Sequence, residues 1–185
     1  MHGDTGTDST AAPPEAVGSA SGLRLDAPRV EDGADLWRIA RDSASLDLNS
    51  SYSYLLWCRD FAATSVIARV DGHASGYVTG YRRPRATDTL VVWQVAVDVA
   101  QRGKGLARRM IDHLVDRVVP EGVRYLEATV TPDNVASTRL FTAFAEGRGA
   151  GLHQGVLFEA GHFPDGHEAE VLLRIGPFAQ GVASP

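Results

Sequence analysis

The chain has 185 residues, 44% of them hydrophobic, with one cysteine and a formal net charge of −5. That length suits one domain with a real core, and the acidic balance argues against general nucleic-acid binding. No run approaches the ~20 apolar residues of a membrane span, no signal peptide opens the chain, and the lone Cys58 excludes an intrachain disulfide framework and suits a reducing, cytoplasmic compartment.

Residues 1–22 are rich in Gly, Ser, Thr, Ala and Pro without apolar periodicity, which predicts a disordered tail. The stretch 178–185 reads the same way, leaving one domain over 23–177 with no internal repeat. Leu23 to Asp26 predicts a short strand. Glu31 to Ser43 predicts a helix, with Leu36, Trp37 and Ala40 on one face. A second helix is expected from Tyr52 to Phe61. Ser65 to Val70 and Ala74 to Arg82 read as strands joined at Asp71-Gly72, a hairpin signal. Thr89 to Val97 is the expected central strand. Gly105 to Val118 is a helix with Leu106, Met110, Leu114 and Val118 at spacing four, ended by Pro120 and Gly122. Then follow a strand (Arg124 to Val130), a helix (Asn134 to Glu146) and two strands (Val156 to Glu159, Glu170 to Ile175). The alternation predicts an α/β fold, a mixed sheet with helices on both faces.

The most informative stretch joins the central strand to the following helix through Arg102-Gly103-Lys104-Gly105. A strand, a Gly-rich basic turn and a helix N-terminus together form a site for phosphate or pyrophosphate. The P-loop pattern fails here. So does the dinucleotide fingerprint, because Arg108 stands where its third glycine belongs. Arg102 to Ala107 instead fits Arg/Gln-x-x-Gly-x-Gly/Ala, and the segment resembles the acyl-CoA loop of the GNAT N-acetyltransferase superfamily. Arg108 and Arg109 extend the basic cluster, although Arg109 also reads as part of a solvated helix face.

The resemblance implies a mostly antiparallel sheet whose central strands splay to admit acetyl-CoA. It implies cofactor contacts from Val95, Ala96 and Val97 on the central strand, from Arg102, Gly103, Lys104, Gly105, Leu106 and Ala107 in the loop, and from Asn134 on the next helix. Asn134 also reads as a plain helix cap. A bulge on the central strand would free an N–H of Val95 or Val97 for the thioester oxyanion. The tyrosine that many members use to protonate the leaving thiolate falls here on Phe141, which has no hydroxyl.

Further runs narrow the resemblance. Leu46 to Tyr54, Val92 to Asp98, Leu126 to Val130, and His167-Glu168 followed by Arg174 to Pro177 are similar to the L-2,4-diaminobutyrate acetyltransferase family of ectoine biosynthesis, a compatible-solute pathway tied to osmotic stress. That resemblance covers about Leu23 to Pro177. It implies acetyl transfer from acetyl-CoA to the γ-nitrogen of L-2,4-diaminobutyrate by a homodimer that needs no metal.

Such a substrate carries two ammonium groups and one carboxylate. An alkyl amine with pKa about 10.4 is neutral about once in a thousand near pH 7.4, a deficit of about 4 kcal/mol. The site must therefore take a proton. Tyr52, His167 and Glu170 are the candidate proton-transfer groups, with Tyr54 a further possible acid for the thiolate. Asp47, Asn49, Tyr52, Trp93, Glu168 and Glu170 are the candidate substrate contacts. Asp47 either holds an ammonium or caps the helix near Tyr52. Trp93 either walls the pocket or sits in the core or an interface. Glu168 and Glu170 bind cations, accept protons, or are solvated. His162 and His167 lack a third ligand, and Val171 stands where a zinc motif needs its second His. Two other readings stay open: acetylation of another small cationic amine, and an acetyl-CoA sensor without turnover.

Overall fold

The computed structural model describes residues 22–43 and 46–179. Of the two expected tails, residues 1–21 and 180–185 lie outside the described residues. The folded body reaches beyond the expected limit at 177, because the Phe178 ring is 7% exposed and meets Phe144 edge-on in the core.

In chain order the elements are β1 (Leu23–Asp26), α1 (Gly33–Ser43), α2 (Ser51–Asp60), β2 (Val66–Val70), β3 (His73–Arg83), β4 (Ala86–Val97), α3 (Leu106–Val118), β5 (Tyr125–Val130), α4 (Val135–Gly147), β6 (Leu152–Phe158) and β7 (Glu170–Ile175). Among the described residues the strands form one sheet in the order β1-β2-β3-β4-β5-β7-β6. Every neighbouring pair is antiparallel except β4–β5. The β2–β3 hairpin turns at Asp71 and Gly72, both at positive φ, as a twisted two-residue turn requires.

Helices cover both faces. On one, Leu36, Ile39 and Ala40 of α1 and Tyr54 and Cys58 of α2 meet Ile67, Tyr77 and Ala96 of the sheet. On the other, Leu106, Met110, Ile111, Leu114, Val115 and Val118 form one stripe of α3, which packs with Phe141 and Phe144 of α4 on Val66, Val78, Leu90 and Val92. Leu126 and Ala128 of β5 and Leu173 and Ile175 of β7 point the same way.

One irregularity sets the centre of the sheet. Thr79 pairs with Gln94 but Gly80 pairs with Val92, so Trp93 is an extra residue, a β-bulge. The bulge reverses the alternation along β4. Before it Leu90 and Val92 face α3, whereas after it Val95 and Val97 do so, and Gln94 and Ala96 turn toward α1 and α2. Beside the bulge, β4 and β5 pair only at Thr89–Tyr125, Leu90–Leu126 and Val91–Glu127. Past those rungs the two strands diverge, which is the splay the resemblance implied.

Two strands extend beyond their expected limits. β4 starts at Ala86, because Pro84-Arg85 makes a tight turn and Arg83 pairs with Ala86. β6 starts at Leu152 rather than Val156, since its register with β7 opens at Leu152–Ile175.

Candidate active site

The β4–β5 gap opens into a cleft of ≈ 560 Å³ on the α3 side. Val95, Ala96 and Val97 form one wall, Ala136, Ser137, Arg139 and Leu140 of α4 another, and Gly103, Gly105, Leu106, Ala107 and Arg108 the floor. Asn134 lines the cleft and also caps α4, its Oδ1 accepting from the Ser137 N–H at 3.0 Å. Both readings of Asn134 therefore hold geometrically.

Gly103 and Gly105 each have φ +74, and a Cβ at either would point into open space. The N–H groups of Gly103, Lys104 and Gly105 have no partner among the described residues. Those of Leu106, Ala107 and Arg108, in the first turn of α3, cannot find one within the helix. Together they make a concave row of donors at the positive end of a helix dipole, which fits a pyrophosphate.

The basic side chains around the loop have other employment. The Arg102 guanidinium donates to the carbonyls of Val97 at 3.2 Å and Ser43 at 2.9 Å, bracing the loop against β4 and the end of α1. Lys104 Nζ donates to Gln101 Oε1 at 3.1 Å. Arg108 binds Asp112 and the Ala143 carbonyl, joining α3 to α4. Arg102, Lys104 and Arg108 are thus engaged with the protein itself, while the backbone N–H groups of the loop stay open and Arg139 lines the cleft.

At its far side the cleft reaches Leu46, next to Asp47. The 46–50 segment is held to the bulge by a buried chain of hydrogen bonds. Tyr77 Oη donates to Gln94 Oε1 at 3.0 Å, and Gln94 Nε2 donates to the Asp47 carbonyl at 3.2 Å. Burial is the first cause that pushes the Tyr77 hydroxyl far above the usual tyrosine range, so it stays protonated and fixes the Gln94 amide in one orientation. Neither residue stood out in the sequence.

Asp47, His167 and Glu170 come together. His167 Nε2 lies 3.9 Å from Asp47 Oδ2 and 3.7 Å from Glu170 Oε1, wider than hydrogen bonds. His167 Nδ1 sits 2.8 Å from the Glu168 carbonyl, an acceptor, so the neutral ring carries its proton on Nδ1 and offers the Nε2 lone pair. That backbone bond, opposed by desolvation and reinforced by the Glu170, Asp47 and Asp165 carboxylates, raises the His167 pKa. Phe163 packs on the imidazole at 4.7 Å between centroids. Glu170 Oε2 is buried without a partner, whereas the Asp47 side chain is 96% exposed.

Other expected residues lie elsewhere. Tyr52 is 66% exposed near the start of α2, and its hydroxyl makes no hydrogen bond among the described residues. Asn49 is half-buried in the 46–50 segment, and Glu168 contributes its carbonyl while its side chain is exposed. Trp93 is 55% exposed and stacks on Trp57, which also meets Phe61 and Tyr81, so the bulge presents it at the surface. Phe141 lies in the core. Burial, then the Asp32 and Glu31 carboxylates, push the Cys58 thiol up to about 11, so it is inert near neutrality. Among the described residues no group of three or more His, Cys, Asp or Glu could hold a metal ion, and no helix is long and apolar enough to cross a membrane.

One buried acid was missed. Glu127 of β5, 5% exposed, stands at the last rung before the splay and pairs with both Arg83 and Arg174. A glutamate within a strand reads as solvated, and nothing local marks it otherwise.

Residues 32–145 match the model of the acetyltransferase (GNAT) family. The chain is 64% identical over 163 residues to the L-2,4-diaminobutyric acid acetyltransferase of Streptomyces coelicolor, covering 86% of this chain and 95% of that one. It is 47% identical over 164 residues to the enzyme of the same name from Marinococcus halophilus, covering 88% and 95%. Among solved structures it superposes with a TM-score of 0.82 on the diaminobutyrate acetyltransferase EctA of Paenibacillus lautus, in complex with its substrate L-2,4-diaminobutyric acid and coenzyme A. That pair is 40% identical over 89% of this chain and 100% of the other. The ribosomal-protein-S18-alanine N-acetyltransferase of Escherichia coli, at 16% identity and TM-score 0.64, shares the fold.

Proposed function

The chain belongs to the acetyltransferase (GNAT) family, and from that premise we propose that it moves the acetyl group of acetyl-CoA to the γ-nitrogen of L-2,4-diaminobutyrate, in ectoine biosynthesis in the cytoplasm. One observation supports the reading: the cleft beside β4 has the free N–H cradle of residues 103–108 at one end and at the other reaches Leu46, the neighbour of Asp47 in the Asp47–His167–Glu170 cluster.

In this reading the cradle holds the pyrophosphate, and Val95, Ala96, Val97 and Asn134 line the pantetheine. Past Val91, β4 groups facing the gap have no strand partner, and an N–H of Val95 or Val97 there receives the thioester oxyanion. Glu170, with its unpaired buried oxygen, and Asp47 draw the ammonium groups. His167 Nε2 takes the γ-ammonium proton, and the neutral nitrogen attacks the thioester carbonyl carbon. The tetrahedral adduct then loses the second proton of its nitrogen to solvent and breaks its C–S bond, giving the neutral N-γ-acetyl amide and CoA thiolate. With a phenylalanine at position 141, the protonated His167 is the donor that returns a proton to the thiolate.

We also infer a homodimer. The apolar surface left open at Tyr52, Phe61 and Trp93, and at Val156 and Phe158 on the edge strand β6, supports it. Sedimentation velocity gives the mass directly.

The deciding assay is thiol release from acetyl-CoA with L-2,4-diaminobutyrate, lysine, ornithine and spermidine, with NMR of the product. A γ-acetylated product formed in strong preference confirms the assignment. Turnover with another amine while diaminobutyrate is ignored overturns it.

A further inference from the structure

Resting on that reading of the substrate, we propose that Arg174, helped by Arg83, binds the α-carboxylate of the diamino acid and so makes the enzyme reject plain diamines.

The argument starts from a charge surplus. One guanidinium neutralises one carboxylate, yet Glu127 is flanked by two, Arg83 Nη1 at 3.0 Å and Arg174 in direct contact. The cluster carries a net positive charge. Arg174 is also stacked 4.0 Å above the Tyr125 ring. Its fork is therefore ordered before any ligand arrives, which lowers the entropic cost of binding.

The surplus faces the substrate side. Along β7, Leu173 and Ile175 enter the core beneath α3 and α4. Glu170, Leu172 and Arg174 alternate onto the opposite face, where Glu170 joins the Asp47–His167 cluster. Four residues of extended strand separate Glu170 from Arg174, about 13 Å between Cα atoms at ~3.3 Å each. Both side chains are long and stand on the same face of the strand. Between them lie Leu172 and its register partner Thr129, which is exposed, so the trough is open. An acidic end, a largely apolar floor and a cationic end match, in order, the γ-ammonium, the two methylenes and the carboxylate-bearing α-carbon of the diamino acid.

The two guanidiniums also make the test clean, since removing either leaves Glu127 paired with the other. Arg174→Gln, Arg174→Lys, Arg83→Gln and the unchanged enzyme are assayed with L-2,4-diaminobutyrate and with 1,3-diaminopropane, the same diamine without its carboxylate. Acetyl-CoA affinity by calorimetry and Tm are measured alongside. The expected result is that Arg174→Gln loses ~10- to 100-fold in kcat/KM for diaminobutyrate, the range for a hydrogen bond to a charged group. It keeps its rate with diaminopropane, its cofactor affinity and its Tm, so the preference between the two amines collapses. Arg174→Lys should recover part of the loss and Arg83→Gln should show a smaller one. Equal losses on both amines, or none on either, overturn the inference while leaving the assigned reaction intact. If the unchanged enzyme ignores diaminobutyrate, the assigned reaction falls and this inference with it.

Discussion

Gly105→Asp separates the chemistry of the cofactor loop from its stability. The residue has φ +74, and a Cβ added there would meet nothing within 4 Å, so neither alanine nor aspartate clashes with the protein. An ordinary L-residue in this conformation costs ~1–2 kcal/mol, and aspartate less than alanine, because it tolerates the left-handed region better. At ~2–4 °C per kcal/mol for a chain of this size, Gly105→Ala should lower Tm by several degrees and Gly105→Asp by less. Binding should order the variants the other way. A carboxylate ~5 Å from one pyrophosphate charge, at an effective dielectric near 20, repels it by ~3 kcal/mol, about two orders of magnitude in Kd. Calorimetric titration with acetyl-CoA, paired with thermal melts, reads both quantities. The Asp penalty should also shrink as salt is raised. An Asp variant that binds acetyl-CoA like the unchanged protein would refute the cradle as the pyrophosphate site.

Tyr77→Phe removes the donor that orients Gln94, and should raise KM for the amine several-fold while acetyl-CoA affinity holds; steady-state kinetics with each substrate varied checks it. His167 has a raised pKa, so its stabilising contribution is complete below the ordinary imidazole value and is lost as pH rises through the folded one. Its proton-accepting form, conversely, grows in above that folded value. Glu170→Gln removes one of the raising charges, so NMR titration of the ring should move to lower pH, and the acid limb of kcat/KM with it. Phe141→Tyr buries a hydroxyl in the core, and should cost ~1–3 kcal/mol in denaturant melts without raising kcat. Phe178→Ala should cost ~3–5 kcal/mol, as a buried ring does, and a neutral result would place that residue outside the folded body.

The elements with strong local signals were legible. The Asp71-Gly72 turn, the spacing-four stripe of α3 and the Gly-rich loop each declare themselves within a few residues, and the family resemblance followed from the last. β6 was cut short because His153 to Phe158 are all exposed, which leaves no alternation for a pattern to catch. The front of β4 was missed because Pro84-Arg85 looks like a loop rather than a turn between paired strands. At the site, Asp47, His167 and Glu170 were legible as types, but their convergence depends on β7 lying beside β5. Gln94 and Glu127 were not legible. Their importance comes from a one-residue bulge and from two arginines distant in sequence, and neither leaves a local mark.

The three rungs between β4 and β5 divide this sheet mechanically. One leaf is β1 to β4 and the other is β5, β7 and β6; the hydrogen-bond seam between them has the fewest rungs among the described residues. Native-state hydrogen exchange should therefore show two cooperative units, each opening more cheaply than the whole chain unfolds. A ligand in the cleft touches β4 on one side and α4, which follows β5, on the other. Its occupancy should raise protection on the two leaves together, so the cofactor serves as the missing length of the ladder as well as the acetyl donor.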